Sequence, residues 1–128
     1  MAEHELRQVI EAADRAITAE DFDRVMDFYT DDATLVVKPG LNATGKVAIR
    51  KAFVAIAAHF KNTLKVRQGR MEVIEGGDTA LVLMESLLDV EGQPEPIVRR
   101  ATYVFRRSAD GRWLCVVDNS YGTSLLDA

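Results

Sequence analysis

Apolar residues recur at helical spacing in three stretches of the chain. They run from Leu6 to Ile17, from Phe22 to Tyr29 and from Ile49 to Phe60. Each stretch predicts a helix that buries one apolar stripe. Asp21 and Thr44 precede the second and third stretches, and both residue types are favoured as N-caps because their side chains accept bonds from free backbone amides.

The remaining segments have an extended pattern. A short strand is predicted over residues 33–37, and four long strands follow from residue 63. The parity of the apolar residues changes near Gly69, which predicts a β-bulge. Residues 79–84 are apolar on both parities, a pattern typical of a central strand that is covered on both faces. Turns between the long strands are predicted at residues 75–78, 91–94 and 108–111.

This order of elements indicates an α+β fold in a single domain spanning residues 1–128. A chain of 128 residues with 48% hydrophobic and 28% charged residues has the composition of an ordinary folded domain. No stretch is apolar enough to cross a membrane, and the acidic start does not resemble a signal peptide. We therefore expect a cytoplasmic protein with no membrane partner. The single cysteine, Cys115, lies in an apolar run and is expected to be a buried thiol.

Charge is distributed in three bands along the chain. Residues 1–32 carry ten acids and three bases, residues 33–70 carry eight bases and no acid, and the rest carries ten acids and five bases. The net charge of −4 argues against nucleic acid as a partner. Two interpretations of the basic band stay open. The bands lie against each other on the folded surface, or the basic band attracts an anionic ligand.

Two motifs carry a resemblance to a known superfamily. The run Tyr29–Leu35 resembles the Y-A-D-D-A-T junction of ketosteroid isomerase, and Asp110–Leu114 resembles the D-G-x-W last hairpin of SnoaL-like proteins. The closing run Val117–Gly122 is similar to that of a small group among them. Together with the element order, these motifs identify the chain as a member of the nuclear transport factor two-like superfamily. The resemblance implies three N-terminal helices packed on a strongly curved, mostly antiparallel sheet, which forms a cone-shaped half-barrel with a pocket.

The chain departs from ketosteroid isomerase at the residues that catalyse its reaction. The position of that enzyme's aspartate base is occupied by Lys38 or Val37, and its oxyanion-hole tyrosine aligns with Ala13. The second oxyanion donor falls near Tyr103. A lysine cannot act as this base at neutral pH. Steroid isomerisation by that mechanism is therefore not expected.

Asp118 is the candidate catalytic base, with Tyr103 as the hydrogen-bond donor. Asp118 follows five apolar residues at the end of the last strand, where partial burial would raise its pKa. If Arg107 pairs with Arg112 across the last turn, Ala101 lies opposite Asp118. Arg99 is then two residues further along the same face, where it would pair with Asp118. A structural ion pair or a solvent-facing strand end is the alternative interpretation.

Large side chains with polar atoms, and residues beside the apolar stripe of the third helix, are the candidate ligand contacts. They are Tyr29, Phe53, His59, Arg99, Trp113, Asn119 and Tyr121. For His59 a boundary position without function is the alternative. The two histidines and the cysteine show no metal-ligand spacing, and we expect neither a metal site nor a bound cofactor.

The sequence is compatible with two functions. One is a cofactor-independent isomerase, cyclase or dehydratase that binds a small apolar carbonyl or acid compound. The other is a non-catalytic association or carrier domain of the same fold. In either case a homodimer is expected, because both faces of the long strands are apolar and the helices can cover only one of them. Many relatives with this fold also pair through their sheets.

Overall fold

The architecture is a layer of helices on one face of a curved sheet. The computed structural model describes residues 4–127. The helices of this part are α1 (Glu5–Thr18), α2 (Phe22–Val25) and α3 (Lys46–His59). The strands are β1 (Tyr29–Lys38), β2 (Leu41–Thr44), β3 (Lys65–Gly76), β4 (Thr79–Asp89), β5 (Ile97–Arg107) and β6 (Trp113–Asn119). Two short 3₁₀ turns cover Met26–Phe28 and Gly122–Asp127.

The six described strands form one open sheet in the order β2-β1-β6-β5-β4-β3. All neighbouring pairs are antiparallel except β1 and β6, which run parallel. The register shifts once in four of the five pairs, including the predicted bulge between Gln68 and Met71 in β3. Such shifts bend strands and increase their twist. The predicted α+β fold, with helices on a curved and mostly antiparallel half-barrel, is confirmed.

The helices begin and end largely where their capping residues predict. His4 accepts the Leu6 amide through Nδ1 at the start of α1. Asp21 accepts the Arg24 amide at the start of α2, as predicted. The second helix is shorter than expected, because Tyr29 already belongs to β1.

Thr44 is not the N-cap of α3, as the sequence suggested. It ends the unpredicted strand β2, and its hydroxyl is hydrogen-bonded to that of Thr34 on β1 at 2.9 Å. Gly45 precedes the helix instead, with a φ of 87°, a conformation that glycine adopts without strain. Pairing with β1 therefore extends the chain through residue 44 before the helix starts.

The core lies between the helices and the inner face of the sheet. On β4 this inner face consists of Ala80, Val82 and Met84, which are all buried. Leu81 and Leu83 point to the outer face and are 37% and 42% exposed. The prediction that β4 is covered on both faces is therefore wrong for the single chain, since the three helices lie on the other side.

The basic band is largely neutralised by the acidic segments on either side of it. Four of its eight basic residues form ion pairs with acids of those segments. The pairs are Lys46–Asp31, Arg50–Asp23, Arg67–Asp89 and Arg70–Glu85. The bands thus meet on the folded surface, the first of the two interpretations drawn from the sequence. Within residues 4–127, no helix has the length and apolarity needed to span a bilayer.

Candidate functional site

Asp118 lies near the end of β6 and is buried on the inner face of the sheet. Tyr29, the first residue of β1, donates its phenolic proton to Asp118 Oδ2 over 2.6 Å. The parallel pairing of β1 with β6 brings these two residues together although 89 positions separate them in sequence. Asp118 is thus oriented by a buried tyrosine.

Tyr103 lies directly opposite Asp118 on the neighbouring strand β5. The sequence analysis predicted Ala101 opposite Asp118, and this predicted register of β5 and β6 is wrong. Arg107 pairs with Trp113 rather than with Arg112, and the register shifts once more between Val104 and Phe105. The two shifts together move Asp118 by two positions along β5. The predicted catalytic residues are therefore immediate cross-strand neighbours.

Burial raises the pKa values of Asp118, Tyr29 and Tyr103. Desolvation raises the pKa of Asp118 to about 6, and the hydrogen bond from Tyr29 opposes this rise. Desolvation raises the pKa of Tyr29 and of Tyr103 well above the ordinary value of 10.0, and the charge of Asp118 adds to both shifts. At neutral pH the site therefore holds an ionised carboxylate of raised basicity beside two protonated phenols.

A second buried carboxyl group belongs to the same interior. Asp14 on α1 accepts the Gln68 Nε2 amide at 2.7 Å, and Gln68 Oε1 accepts the Ser86 hydroxyl at 3.1 Å. A hydrogen bond with Ser86 lowers the pKa of Tyr103, so this chain of contacts reaches the residue opposite Asp118. We call the following six residues the interior polar cluster: Asp14, Tyr29, Gln68, Ser86, Tyr103 and Asp118.

The interior also couples the two carboxyl groups electrostatically. Desolvation raises the pKa of Asp14 to about 7, against the effect of the Gln68 hydrogen bond. The charge of Asp118 is the next cause of this shift, followed by Glu11, while Arg15 opposes it. Asp118 ionises first, and its charge then makes ionisation of Asp14 more difficult.

Three cluster members were missed in the sequence, although a signal exists for two of them. Asp14 continues the buried series Leu6 and Ile10 at intervals of four, so it is a polar residue at a core position of α1. Ser86 similarly continues the inner-facing series of β4. Gln68 lies beside the bulge of β3, where the parity of side chains changes, and its position could not be read from periodicity.

Aromatic side chains form the apolar wall around the cluster. The ring of Phe28 makes edge contacts with Tyr29 at 5.1 Å and with Phe105 at 5.5 Å between centroids. Phe53, a predicted ligand contact on α3, packs against Tyr29 at 6.3 Å. Phe105 is completely buried, whereas Asp14, Tyr103 and Asp118 remain 7%, 7% and 8% exposed. The wall residues Phe28 and Phe53 are each 8% exposed, so the wall and the functional groups are buried to the same extent.

Three of the predicted ligand contacts lie together where β6 ends: Arg99 on β5, Asn119 at the end of β6 and Tyr121 in the turn that follows. The Arg99 guanidinium stacks on the Tyr121 ring at 4.6 Å, and the Tyr121 hydroxyl donates to the Val37 carbonyl at 3.3 Å. Asn119 accepts the Tyr121 amide and donates to the Gly122 carbonyl. Arg99 forms no ion pair with Asp118 in the described structure, so the predicted pairing is wrong.

The two other predicted contacts lie away from the cluster. His59 is exposed at the end of α3, where its ring touches Phe60. Trp113 is buried at the opposite end of β6 from Asp118, and its indole donates to Glu5 Oε1 at 2.9 Å. Lys38, at the position of the isomerase base, is exposed at the end of β1.

Two open grooves lie on the surface of the domain. One of about 620 Å³ lies between α1 and the β5–β6 hairpin, and one of about 670 Å³ lies on the outer face of the sheet. Neither is lined by Asp14, Tyr103 or Asp118. Among residues 4–127, no three His, Cys, Asp or Glu side chains are grouped to hold a metal ion.

Comparison with known proteins identifies the domain family and the fold of the chain. Residues 6–117 match the model of the SnoaL-like domain. An NTF2-like protein with a cystatin-like fold from Novosphingobium aromaticivorans superposes with a TM-score of 0.78 at 22% identity, over 95% of this chain and 86% of that one.

Two further structures resemble the chain at a similar level. A protein from Catenulispora acidiphila, solved in complex with S-DNPA, has a TM-score of 0.70 at 20% identity and covers 89% of this chain and 87% of its own. A putative calcium/calmodulin-dependent protein kinase type II association domain from Thiobacillus denitrificans has a TM-score of 0.71 at 22% identity, with coverages of 87% and 89%. At these identities the likeness establishes the fold alone. No curated protein matches the chain.

Proposed function

Because the chain belongs to the SnoaL-like domain family, whose model matches residues 6–117, we propose that it binds a small, mostly apolar carbonyl compound at the interior polar cluster. In this proposal Asp118 is the base that moves a proton on that compound. The observation that carries the proposal is the buried Asp118 carboxylate, bonded by Tyr29 and faced by Tyr103. The relative from Catenulispora acidiphila that binds a small molecule supports the binding role.

Asp118 suits general base catalysis because of its proton affinity. A base works best when its pKa lies near the working pH, so that it is ionised yet still attracts a proton. The pKa of about 6 meets this condition. Tyr29 keeps the carboxylate in one orientation, and the aromatic wall reduces its hydration.

Tyr103 is placed to stabilise the negative charge that develops on the substrate. Removal of a proton from the carbon next to a carbonyl group produces an enolate, whose charge lies mainly on oxygen. A fixed phenol near the base can donate to this oxygen, and in a desolvated site such a bond stabilises the transition state strongly.

The fate of the enolate, after Asp118 has accepted the proton, determines which reaction results. Return of the proton to another carbon gives isomerisation, and loss of a β-hydroxyl group as water gives dehydration. Attack of the enolate on a second carbonyl group of the same molecule gives cyclisation. All three begin with the same step, and the proposal covers this common step without requiring a cofactor.

Deuterium exchange into 2-tetralone tests this step directly. This apolar ketone has an acidic C–H group, and its exchange in D₂O can be followed by proton NMR at neutral pH. We expect the wild-type protein to exceed the buffer rate, and Asp118→Asn to reduce this excess by about 100-fold. Asp78→Asn, an exposed aspartate on the β3–β4 turn, is the matched control. Wild-type exchange at the buffer rate would contradict the proposal.

A non-catalytic association domain is the second candidate function. The apolar outer face of the sheet favours it, since Leu81, Leu83 and Val98 are exposed there. The similarity to the association domain from Thiobacillus denitrificans supports the same role. If the protein self-associates but does not accelerate deuterium exchange into 2-tetralone, the association function is favoured over the catalytic one.

A further inference from the structure

The interior polar cluster contains two carboxyl groups and no lysine, arginine or histidine. Of the described residues, Asp14 and Asp118 are the only charged ones that are buried. Arg15 is exposed on α1, Arg99 stacks on Tyr121, and Arg7 on α1 donates to the Gly69 carbonyl oxygen at 2.6 Å. A buried charge is normally paired or hydrogen-bonded, and here only neutral donors bond the carboxyl groups.

The hydrogen bonds around Asp14 give this residue a fixed place in the cluster. Gln68 uses its amide group toward Asp14 and its carbonyl oxygen toward Ser86. Ser86 also interacts with Tyr103, whose pKa it lowers. Asp14 is therefore connected through two side chains to the phenol that faces Asp118.

We infer that Asp14 is a specificity-determining residue of the cluster, and that it and Asp118 together select an uncharged ligand against an anionic one. This inference rests on the proposed function and deepens it, since it names the class of substrate. An anion bound at the cluster would face two buried carboxyl groups that are hydrogen-bonded by the neutral side chains of Tyr29 and Gln68. A ketone or alcohol adds no charge, and its polar groups can bond with the tyrosines and with Asp14.

The energetic reason is the low polarizability of the interior. Like charges a few ångströms apart repel each other several times more strongly near or inside a protein than in bulk water. The aromatic wall keeps water from screening this repulsion. Of the two ligand classes expected from the sequence, apolar and anionic, the cluster therefore favours the first.

A matched pair of ligands tests the inference. 2-Acetylnaphthalene and 2-naphthoate have nearly the same shape, but only the second carries a charge at neutral pH. Their dissociation constants are measured by naphthalene fluorescence, and amide chemical shifts locate the binding site. We expect the wild-type protein to bind the ketone at least tenfold more tightly than the carboxylate.

Substitution of Asp14 should change this preference without abolishing binding. We expect Asp14→Asn to reduce the ratio of the two dissociation constants about fivefold or more, through tighter binding of 2-naphthoate. Asp27→Asn, an exposed aspartate on the 3₁₀ turn after α2, is the control and should leave the ratio unchanged. Circular dichroism checks that both variants fold.

The outcomes separate this inference from the proposed function. If the wild-type protein binds the ketone but Asp14→Asn leaves the ratio unchanged, only the inference is overturned. Equal or tighter wild-type binding of 2-naphthoate also overturns it, and this comparison decides if the variant does not fold. If neither compound binds at the cluster, both the proposed function and the inference are wrong.

Discussion

At the scale of single residues, the fold keeps two aspartates in an environment that opposes their ionisation. Asp14 and Asp118 have pKa values of about 7 and about 6, compared with an ordinary value of 3.8. Burial is the largest cause in both cases. A domain that required only stability would place apolar residues here, since an unpaired buried carboxylate costs free energy. Retention of both groups fits a functional interior.

The raised pKa values predict that the free energy of unfolding decreases as the pH rises from about 4 to about 7. In this range the unfolded chain has lost the protons of both aspartates, while the folded chain retains them. The unfolded state thus binds fewer protons, and stability falls with pH. For Asp14 the shift corresponds to a loss on the order of 4 kcal/mol.

Urea unfolding of Asp14→Asn and the wild-type protein at a series of pH values measures this effect. The difference in unfolding free energy should shift by a few kcal/mol in favour of the variant between pH 4 and pH 8. Asp27→Asn should show no such trend, because its carboxylate is exposed. A constant difference between Asp14→Asn and wild type would mean that Asp14 titrates as an ordinary aspartate.

The sequence allowed one of these aspartates to be identified and not the other. Asp118 ends an apolar run, so its burial could be expected from its neighbours alone. Asp14 lies between Ala13 and the exposed Arg15 on α1, and its burial depends on how that helix packs on β3. Tyr29 was identified as a ligand contact, but its bond to Asp118 depends on a long-range strand pairing.

At the scale of elements, the C-terminal turn is fixed to the sheet by a close backbone contact. Gly122 has a φ of 55°, and a Cβ atom at this position would lie 2.1 Å from the Arg100 carbonyl oxygen on β5. A contact this short requires the backbone to move. Asn119 and Tyr121 add hydrogen bonds to the same turn.

We therefore expect Gly122→Ala to destabilise the domain strongly. The loss should be about 3 kcal/mol or more, because a steric clash is added to the strain of a left-handed alanine. Gly77→Ala is the matched control, since Gly77 has a φ of 61° and open space around it. It should cost only about 1 kcal/mol. If urea unfolding gives the same loss of unfolding free energy for Gly122→Ala and Gly77→Ala, the contact with Arg100 does not affect stability.

The errors in the predicted elements arise from tertiary contacts. The four residues of β2 have no distinctive pattern, and they form a strand because β1 pairs with them. The register of β5 and β6 was predicted from the turn, but the pairing begins one residue later and contains a bulge. A period of two residues identifies a strand without fixing its partner, and a single shift changes the neighbour of every residue.

At the scale of the whole molecule, the outer face of the sheet is the largest unexplained apolar surface. Ile74, Leu81, Leu83 and Val98 are all more than one third exposed on β3, β4 and β5. Contiguous apolar patches on folded proteins usually mark an interaction site. Apolar residues on both parities of β4 indicated this second apolar face in the sequence, although the sequence could not show what covers it.

We predict that two copies of the chain associate through this face. Light scattering at micromolar concentration should give about twice the 14.2 kDa of the single chain. Leu83→Glu should produce the monomer, because it places a charge at the centre of the buried surface. Val47→Glu changes an equally apolar but exposed residue of α3 and should leave the dimer intact. A wild-type mass near 14.2 kDa would contradict the prediction.

The parallel pair of β1 and β6 has a consequence for how the domain is synthesised. A nascent chain can form the β1–β2 hairpin and the β3–β5 meander early, since their contacts are local in sequence. The two pieces cannot be joined until β6 has left the ribosome, because β6 alone lies between β1 and β5. Pairings between distant segments are slow to form, owing to the entropy lost in closing a long loop. Asp118 is carried by this joining strand, so the interior polar cluster is complete only after β6 has entered the sheet.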